Sequence, residues 1–226
     1  LMRVFFKLSF LLLLPTFLSA NTFNYKDLKK IEMEIFRNNE LIGFNHYFFK
    51  KDKNFTLITN EVKFDVKLLG ATIFEFDSYS VEKYDNGQLV SFESKTKQNK
   101  KEKFVNLKLD KNKKKFMILG SSYTGEAETK NVIGNWWNQK IIKAESQISP
   151  ISGSIKKQIV KFINEESIML YGKKFVTNHF KLLSSNNISD EKKLIFDIWI
   201  DIKTGLILKV KYSKMGDWEY RLKNYN

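Results

Sequence analysis

The chain has no cysteine, and only two prolines and two histidines among its 226 residues. Without thiols there can be no disulfide framework, no thiolate nucleophile and no cysteine-ligated metal, nor any cysteine for lipid attachment after export. Arginine is nearly missing as well: of 39 basic residues only Arg3, Arg37 and Arg221 carry a guanidinium. The formal charge of +14 therefore rests on lysine. Bidentate recognition of phosphates and base edges favours the arginine fork, so the charge describes a solvated surface with non-specific attraction, and nucleic acid is not an expected partner. His46 and His179 each lie on a predicted strand with no second ligand in spacing, which argues against a metal site. No Gly-x-Ser-x-Gly turn and no Gly-x-x-x-x-Gly-Lys cradle occurs. An enzyme is not expected, and neither is a cofactor.

Long apolar runs are missing too, with one exception at the start. Arg3 and Lys7 precede the apolar stretch Leu8 to Leu18, and Leu18-Ser19-Ala20 ends it with small residues. That is the pattern of a cleavable signal peptide over residues 1–20, and the run is about half of the roughly 20 residues a spanning helix needs. Leu1 before Met2 reads as a start codon translated literally. The expected mature protein is periplasmic, carries no lipid anchor and no transmembrane helix, and forms one domain over residues 21–226. Its 206 residues suffice for a substantial core, and its charge falls to +12 once Arg3 and Lys7 are lost.

What is abundant is alternation. In "EVKFDVKL", Val62, Phe64, Val66 and Leu68 point one way while Glu61, Lys63, Asp65 and Lys67 point the other. Strands with one dry and one wet face belong to antiparallel sheets. Such segments recur at 29–36, 40–50, 55–68, 72–84, 88–98, 102–110, 115–120, 157–164, 168–183, 192–202, 206–214 and 218–225. Asn86-Gly87 suits a two-residue hairpin turn, and in "DIKTG" Asp201 caps a turn whose left-handed position falls to Gly205. One short helix is predicted over Trp136–Glu145, with Asn135 as its N-cap. In a meander the lysine-rich loops 50–54 and 111–115 share an end with Asn86-Gly87. Lysine there blunts sheet ends against aggregation, or docks on an anionic surface.

Two carboxylates across a cleft could serve as general acid and base. Glu75 and Asp77 share a face, but Phe74 and Phe76 take the opposite one, so the acids face water. Asp197 and Asp201 flank Trp199 in "LIFDIWID", an arrangement that could stack a sugar ring. The competing reading has Asp201 in the turn and Asp197 paired with a cross-strand lysine.

The order of elements resembles a family of uncharacterised exported bacterial proteins, a domain of unknown function. The resemblance rests on Ile42-Gly43, Asn86 to Leu89, Trp137-Asn138 and Gly216 to Leu222, and it spans about residues 29 to 225. In fold that family is similar to the carriers and receptors that ferry lipoproteins across the periplasm, and "WIDIKTGLILKV" resembles their Trp-x-Asp-x-x-Thr-Gly-Leu stretch. The loop 121–131 and the scarcity of helices depart from those carriers. The resemblance implies an all-β protein: one highly curved antiparallel sheet of about 11 strands, an incomplete barrel, mostly meander, with an apolar concave face. It implies no catalytic residue.

Two functions are consistent with this architecture. In the first the protein is a non-catalytic binding module whose concave face holds a lipid-like or other apolar ligand, with Trp136, Trp137, Phe64, Phe74, Phe76 and Phe196 as candidate contacts. Neighbouring residues diverge, so Trp136 and Trp137 cannot make one flat platform. The resemblance assigns Trp137 to plugging the sheet and leaves Trp136 as the freer ring. In the second the protein is an envelope interaction or structural protein, holding a protein or anionic partner by a sheet edge or its lysine-rich end.

Overall fold

The structure, a computed structural model, describes residues 27–185 and 195–226. The predicted signal peptide lies outside the described residues. Alternation becomes strand almost everywhere. The first half of the chain runs β1 (Lys30–Arg37), β2 (Glu40–Asp52), β3 (Phe55–Leu68), β4 (Ala71–Asp85), β5 (Gln88–Gln98), β6 (Lys101–Asp110), β7 (Lys115–Gly120) and β8 (Thr124–Glu128). The second half runs β9 (Val132–Ile133), β10 (Ser146–Ile148), β11 (Ile155–Leu170), β12 (Lys173–Ser184), β13 (Ile195–Asp201), β14 (Ile207–Ser213) and β15 (Asp217–Tyr225).

All fifteen join one sheet in the order β8-β7-β6-β5-β4-β3-β2-β1-β15-β14-β13-β12-β11-β10-β9. Two meanders thus meet where the first and last strands pair, with Met33 opposite Leu222 and Ile35 opposite Tyr220. Every ladder is antiparallel except β9 with β10. The two edges of the sheet, β8 and β9, are consecutive in the chain, and only residues 129–131 separate them. The sheet must therefore curl until its edges meet, and at the seam Ser122 N–H donates to the Ser152 carbonyl at 3.0 Å. No ladder joins β8 to β9, so the barrel is incomplete.

The strand count exceeds the expected 11 for two reasons. Thr124–Glu128 lies in the stretch read as a loop, because "TGEAE" offers only Ala127 to the core. The pieces β9 and β10 are too short to show a period. The break expected after residue 164 is a bulge in β11, and the hairpin turns instead at Tyr171-Gly172, both left-handed with φ of 48° and 77°. The helix expected over 136–145 is absent: only a short 3-10 turn forms, Gln139–Ile142, capped by Asn138 Oδ1 on Lys140 N–H. Other groups explain this. Asn135, the expected cap, does accept the Asn138 N–H through Oδ1 at 3.3 Å, but its Nδ2 is held by Glu82 and Trp136 N–H donates to the Tyr47 hydroxyl.

The two ends of the barrel differ. The turns at 53–54 and 86–87 share the lysine-bearing end, where Asn86 N–H meets the Asn54 carbonyl at 2.9 Å. At the other end, left-handed turn positions carry Leu69 and Met215, which are 99% and 87% exposed.

Gly43, in the motif that carried the resemblance, allows β2 and β3 to approach. A Cβ there would sit 2.0 Å from the Lys63 carbonyl oxygen and 2.5 Å from Phe64 Cβ. Both are tied into the ladder, so neither can yield cheaply. Gly43→Ala should cost about 1–3 kcal/mol, the usual penalty of overpacking, read as a lower midpoint in urea. A midpoint equal to wild type would contradict the packing described.

Candidate functional site

Residues of β4 take turns between two faces. Phe74, Phe76, Ser78, Ser80, Glu82 and Tyr84 point inward, while Glu75, Asp77 and Tyr79 are exposed. As the sequence suggested, Glu75 and Asp77 meet water, and Asp77 pairs with Lys63 at 3.7 Å. The unexpected member of the inner row is Glu82, 1% exposed.

Three donors, from the 134–138 segment and β4, converge on it. Asn135 Nδ2 and Trp137 Nε1 donate to Glu82 Oε1 at 2.8 and 2.9 Å, and the Tyr84 hydroxyl donates to Oε2 at 2.6 Å. Burial pushes the Glu82 carboxyl up to about 7, against these hydrogen bonds, which lower it. A further layer surrounds this centre. Tyr47 OH accepts from Asn45 Nδ2 at 3.1 Å as well as from Trp136 N–H, and Asn60 Nδ2 donates to Asn45 Oδ1 at 2.6 Å. Burial raises the Tyr47 phenol far above its ordinary value, keeping it neutral.

The segment between β9 and β10 thereby enters the barrel. Parallel strands need a connection of about a dozen residues, and here that connection supplies the filling. Trp137 packs edge-on to Phe49 and Tyr84, at ring distances of 5.5 and 5.9 Å. Trp136 turns the other way, toward Phe196 at 5.2 Å and Tyr220 at 6.2 Å. Gln158 anchors the far side of the segment, donating to the carbonyls of Ile141 and Ala144.

Above this plug lies a cavity of about 550 Å³. Val62, Phe76, Phe92, Leu182 and Phe196 form apolar walls, with Trp136 at one side. Asn45, Asn60, Ser78, Ser80 and Glu82 place polar atoms along β2, β3 and β4. Ser149, Pro150 and Ile151 cover it, held by the Ser94 hydroxyl on the Pro150 carbonyl. Of its described lining residues, those exposed to solvent are Lys156, Lys157 and Lys214.

Of the six candidate contacts, Trp136, Phe76 and Phe196 line this cavity. Trp137 is buried beneath it among Phe49, Ile58 and Leu170. Phe64 and Phe74 pack with Phe76 and Trp218 in a separate cluster, with Phe64 stacked on Phe76 at 4.9 Å. The concave face also differs from the wholly apolar surface expected. Glu82 reads in sequence as one wet-face residue among many, since "SVEKYD" lacks the apolar alternation that marks the inner row. Its only signal was phase: counting in twos from Phe74 and Phe76 reaches Glu82.

The acidic pair around Trp199 does not make a sugar platform. Trp199 is 8% exposed and has a cross-strand neighbour on each side: His179 stacks at 4.4 Å and Lys209 Nζ lies 4.0 Å from its ring. Asp201 Oδ2 accepts from Thr204 N–H and Oγ1, and Asp197 pairs with Lys181 at 3.6 Å. His179 bridges Glu166 and Asp197 at 3.1 and 2.9 Å. The Trp199 Nε1 donates to the same Glu166 oxygen at 2.7 Å. Among the described residues no group of three or more histidine, aspartate or glutamate side chains is arranged to hold a metal.

A single antiparallel sheet curled into an unclosed barrel, filled by one crossing segment, defines a β-barrel-like protein. Residues 33–223 match a domain of unknown function, DUF6134, and the chain belongs to that family. The fold is similar to that of a β-barrel-like protein of another domain of unknown function, DUF1849, from Brucella abortus. That crystal structure aligns with a TM-score of 0.58 at 11% identity, over 88% of this chain and 96% of that one. No curated protein matches. No helix among the described residues is long and apolar enough to cross a membrane.

Because Glu82 titrates near 7 when folded and near 4.5 when unfolded, the folded state holds the extra proton between those values. Stability must then fall as pH rises through that window and level off above it. Relative to Glu82→Gln, which keeps an acceptor for Asn135 and Trp137, wild type should lose on the order of 3 kcal/mol between pH 4.5 and pH 8. Urea unfolding of both proteins across that range reads the difference. Parallel profiles would contradict a buried, proton-holding Glu82.

Proposed function

We propose that the protein is an exported, periplasmic, non-catalytic binding module that holds a lipid-like or other apolar small molecule inside the barrel. The observation behind this is the cavity. Its volume of about 550 Å³ lies within the usual range of ligand pockets, roughly 300–1,000 Å³. Its walls combine large apolar side chains with a few fixed polar atoms, the mixture that orients a ligand. Trp136, Phe76 and Phe196 are the contacts from the sequence that remain in this reading. The apolar run at 8–18, ending in small residues, supports export.

The competing reading, an envelope protein gripping a partner by a sheet edge or a lysine-rich end, has less support from the geometry. Strand addition needs a long open edge. Here the edges are β8, five residues long, and β9, two, and they lie at a seam bridged by residues 129–131.

Extraction of the natively purified protein followed by mass spectrometry should reveal a retained small molecule, and a fluorescent fatty acid should enter with saturable stoichiometry. Substituting Trp136→Ala should weaken that uptake by about tenfold, since one packed aromatic contributes roughly 1–2 kcal/mol. An empty extract together with non-saturable uptake would overturn the proposal.

A further inference from the structure

Two features of the cavity are left over once its apolar walls are assigned. The first is the Ser80 side chain on β4, 5% exposed, which lines the cavity and has no hydrogen-bond partner among the described residues. A buried hydroxyl without a partner costs about 1–3 kcal/mol, and nearby polar residues show that partners were available to others. Ser78 pairs with Thr96, Ser94 with the Pro150 carbonyl, and Asn60 with Asn45. The second is the mouth, where Lys156 and Lys157 begin β11 and Lys214 follows β14. None of these three ammonium groups forms an ion pair among the described residues. The mouth and Ser80 stand on different walls, since four strands separate β14 from β4 in the sheet.

We infer that the ligand is an anionic amphiphile with a second, uncharged hydrogen-bonding group: its acid head rests at Lys156, Lys157 and Lys214, its apolar body crosses between Phe76, Phe92 and Phe196, and its hydroxyl or carbonyl reaches Ser80. This rests on the cavity being a binding site and names the class of molecule it takes. A purely apolar ligand would leave Ser80 unpaired and would gain nothing from the lysines. A ligand with the anion at the inner end would set it beside Glu82, where burial already disfavours charge. The orientation, head outward and neutral group inward, follows from those two costs. A carboxylate and a phosphate monoester share the required head chemistry.

Isothermal titration of the full-length mature protein with dodecanol, dodecanoate, dodecyl phosphate and 12-hydroxydodecanoate separates the parts of this inference. Dodecanoate should bind about tenfold or more tightly than dodecanol, the effect of a charge-assisted contact. That advantage should disappear in the combined Lys156→Glu, Lys157→Glu, Lys214→Glu variant. Should that variant not fold, raising salt from about 50 mM to about 500 mM on wild type should weaken dodecanoate and leave dodecanol unchanged. The 12-hydroxydodecanoate should bind about threefold or more tightly than dodecanoate, and Ser80→Ala should abolish that gain. Dodecyl phosphate binding more tightly than dodecanoate assigns a phosphate head, and the reverse order assigns a carboxylate. Equal affinity for dodecanol and dodecanoate would overturn the anionic head. A hydroxyl gain that persists in Ser80→Ala would overturn the inner contact. If none of the four binds, the binding reading of the cavity itself fails.

Discussion

The hydrogen bonds to the Glu82 carboxyl decide how this barrel is filled. A sheet of fifteen strands curled on itself encloses more space than its own inward side chains occupy, and something must enter. What enters is the 134–138 segment, tied to β4 through Asn135 and Trp137 and to β2 through Trp136 N–H and Tyr47. A buried carboxyl is an expensive anchor, because the charged form is poorly solvated there. Holding the proton up to about pH 7 offsets that cost, and the three hydrogen bonds satisfy both oxygens. The location of the anchor matters as much as its strength. Placed near the C-terminal end of β4, it draws Trp137 into the core shared with Phe49, Leu170 and Leu222, and leaves the space above unfilled.

The cavity is a consequence of that division. Below the plug, apolar packing is continuous; above it, the same strands present Ser78, Ser80 and Asn60 to open volume beneath the 149–154 loop. The seam between β8 and β9 serves the same arrangement. Because the chain crosses from one edge to the other in three residues, the connection from β9 to β10 begins at the barrel wall and can drop straight inside. Closure, plug and cavity are thus one topological event.

Much of this was legible in the sequence. Period-two alternation marks the long strands, and Asn86-Gly87 and Asp201 to Gly205 form the turns they imply, with Gly87 and Gly205 left-handed. The divergence expected of neighbouring side chains is there too, with Trp137 in the core and Trp136 turned toward Phe196, while the assignment of Trp137 as plug comes from the resemblance. The failures share a cause: long-range partners override local pattern. Asn135 makes the capping contact its chemistry offers, Oδ1 on the Asn138 N–H, yet Glu82 holds its amide and Tyr47 holds the Trp136 N–H, and no helix follows. Glu82 reads as solvated because no local rule separates a charged residue facing water from one facing three donors. Trp199 between two acids resembles a sugar platform until the strands on either side bring His179 and Lys209 over its ring.

The indole N–H of Trp137 tests the account most directly, since its bond to Glu82 ties the crossing segment into the barrel. By hydrogen exchange followed with NMR, this proton should exchange only through global unfolding, as slowly as the backbone amides of β1 and β15 that form the centre of the sheet. Exchange as rapid as that of the exposed turns would mean that the segment leaves the barrel readily, and would contradict the clamp on which the cavity depends.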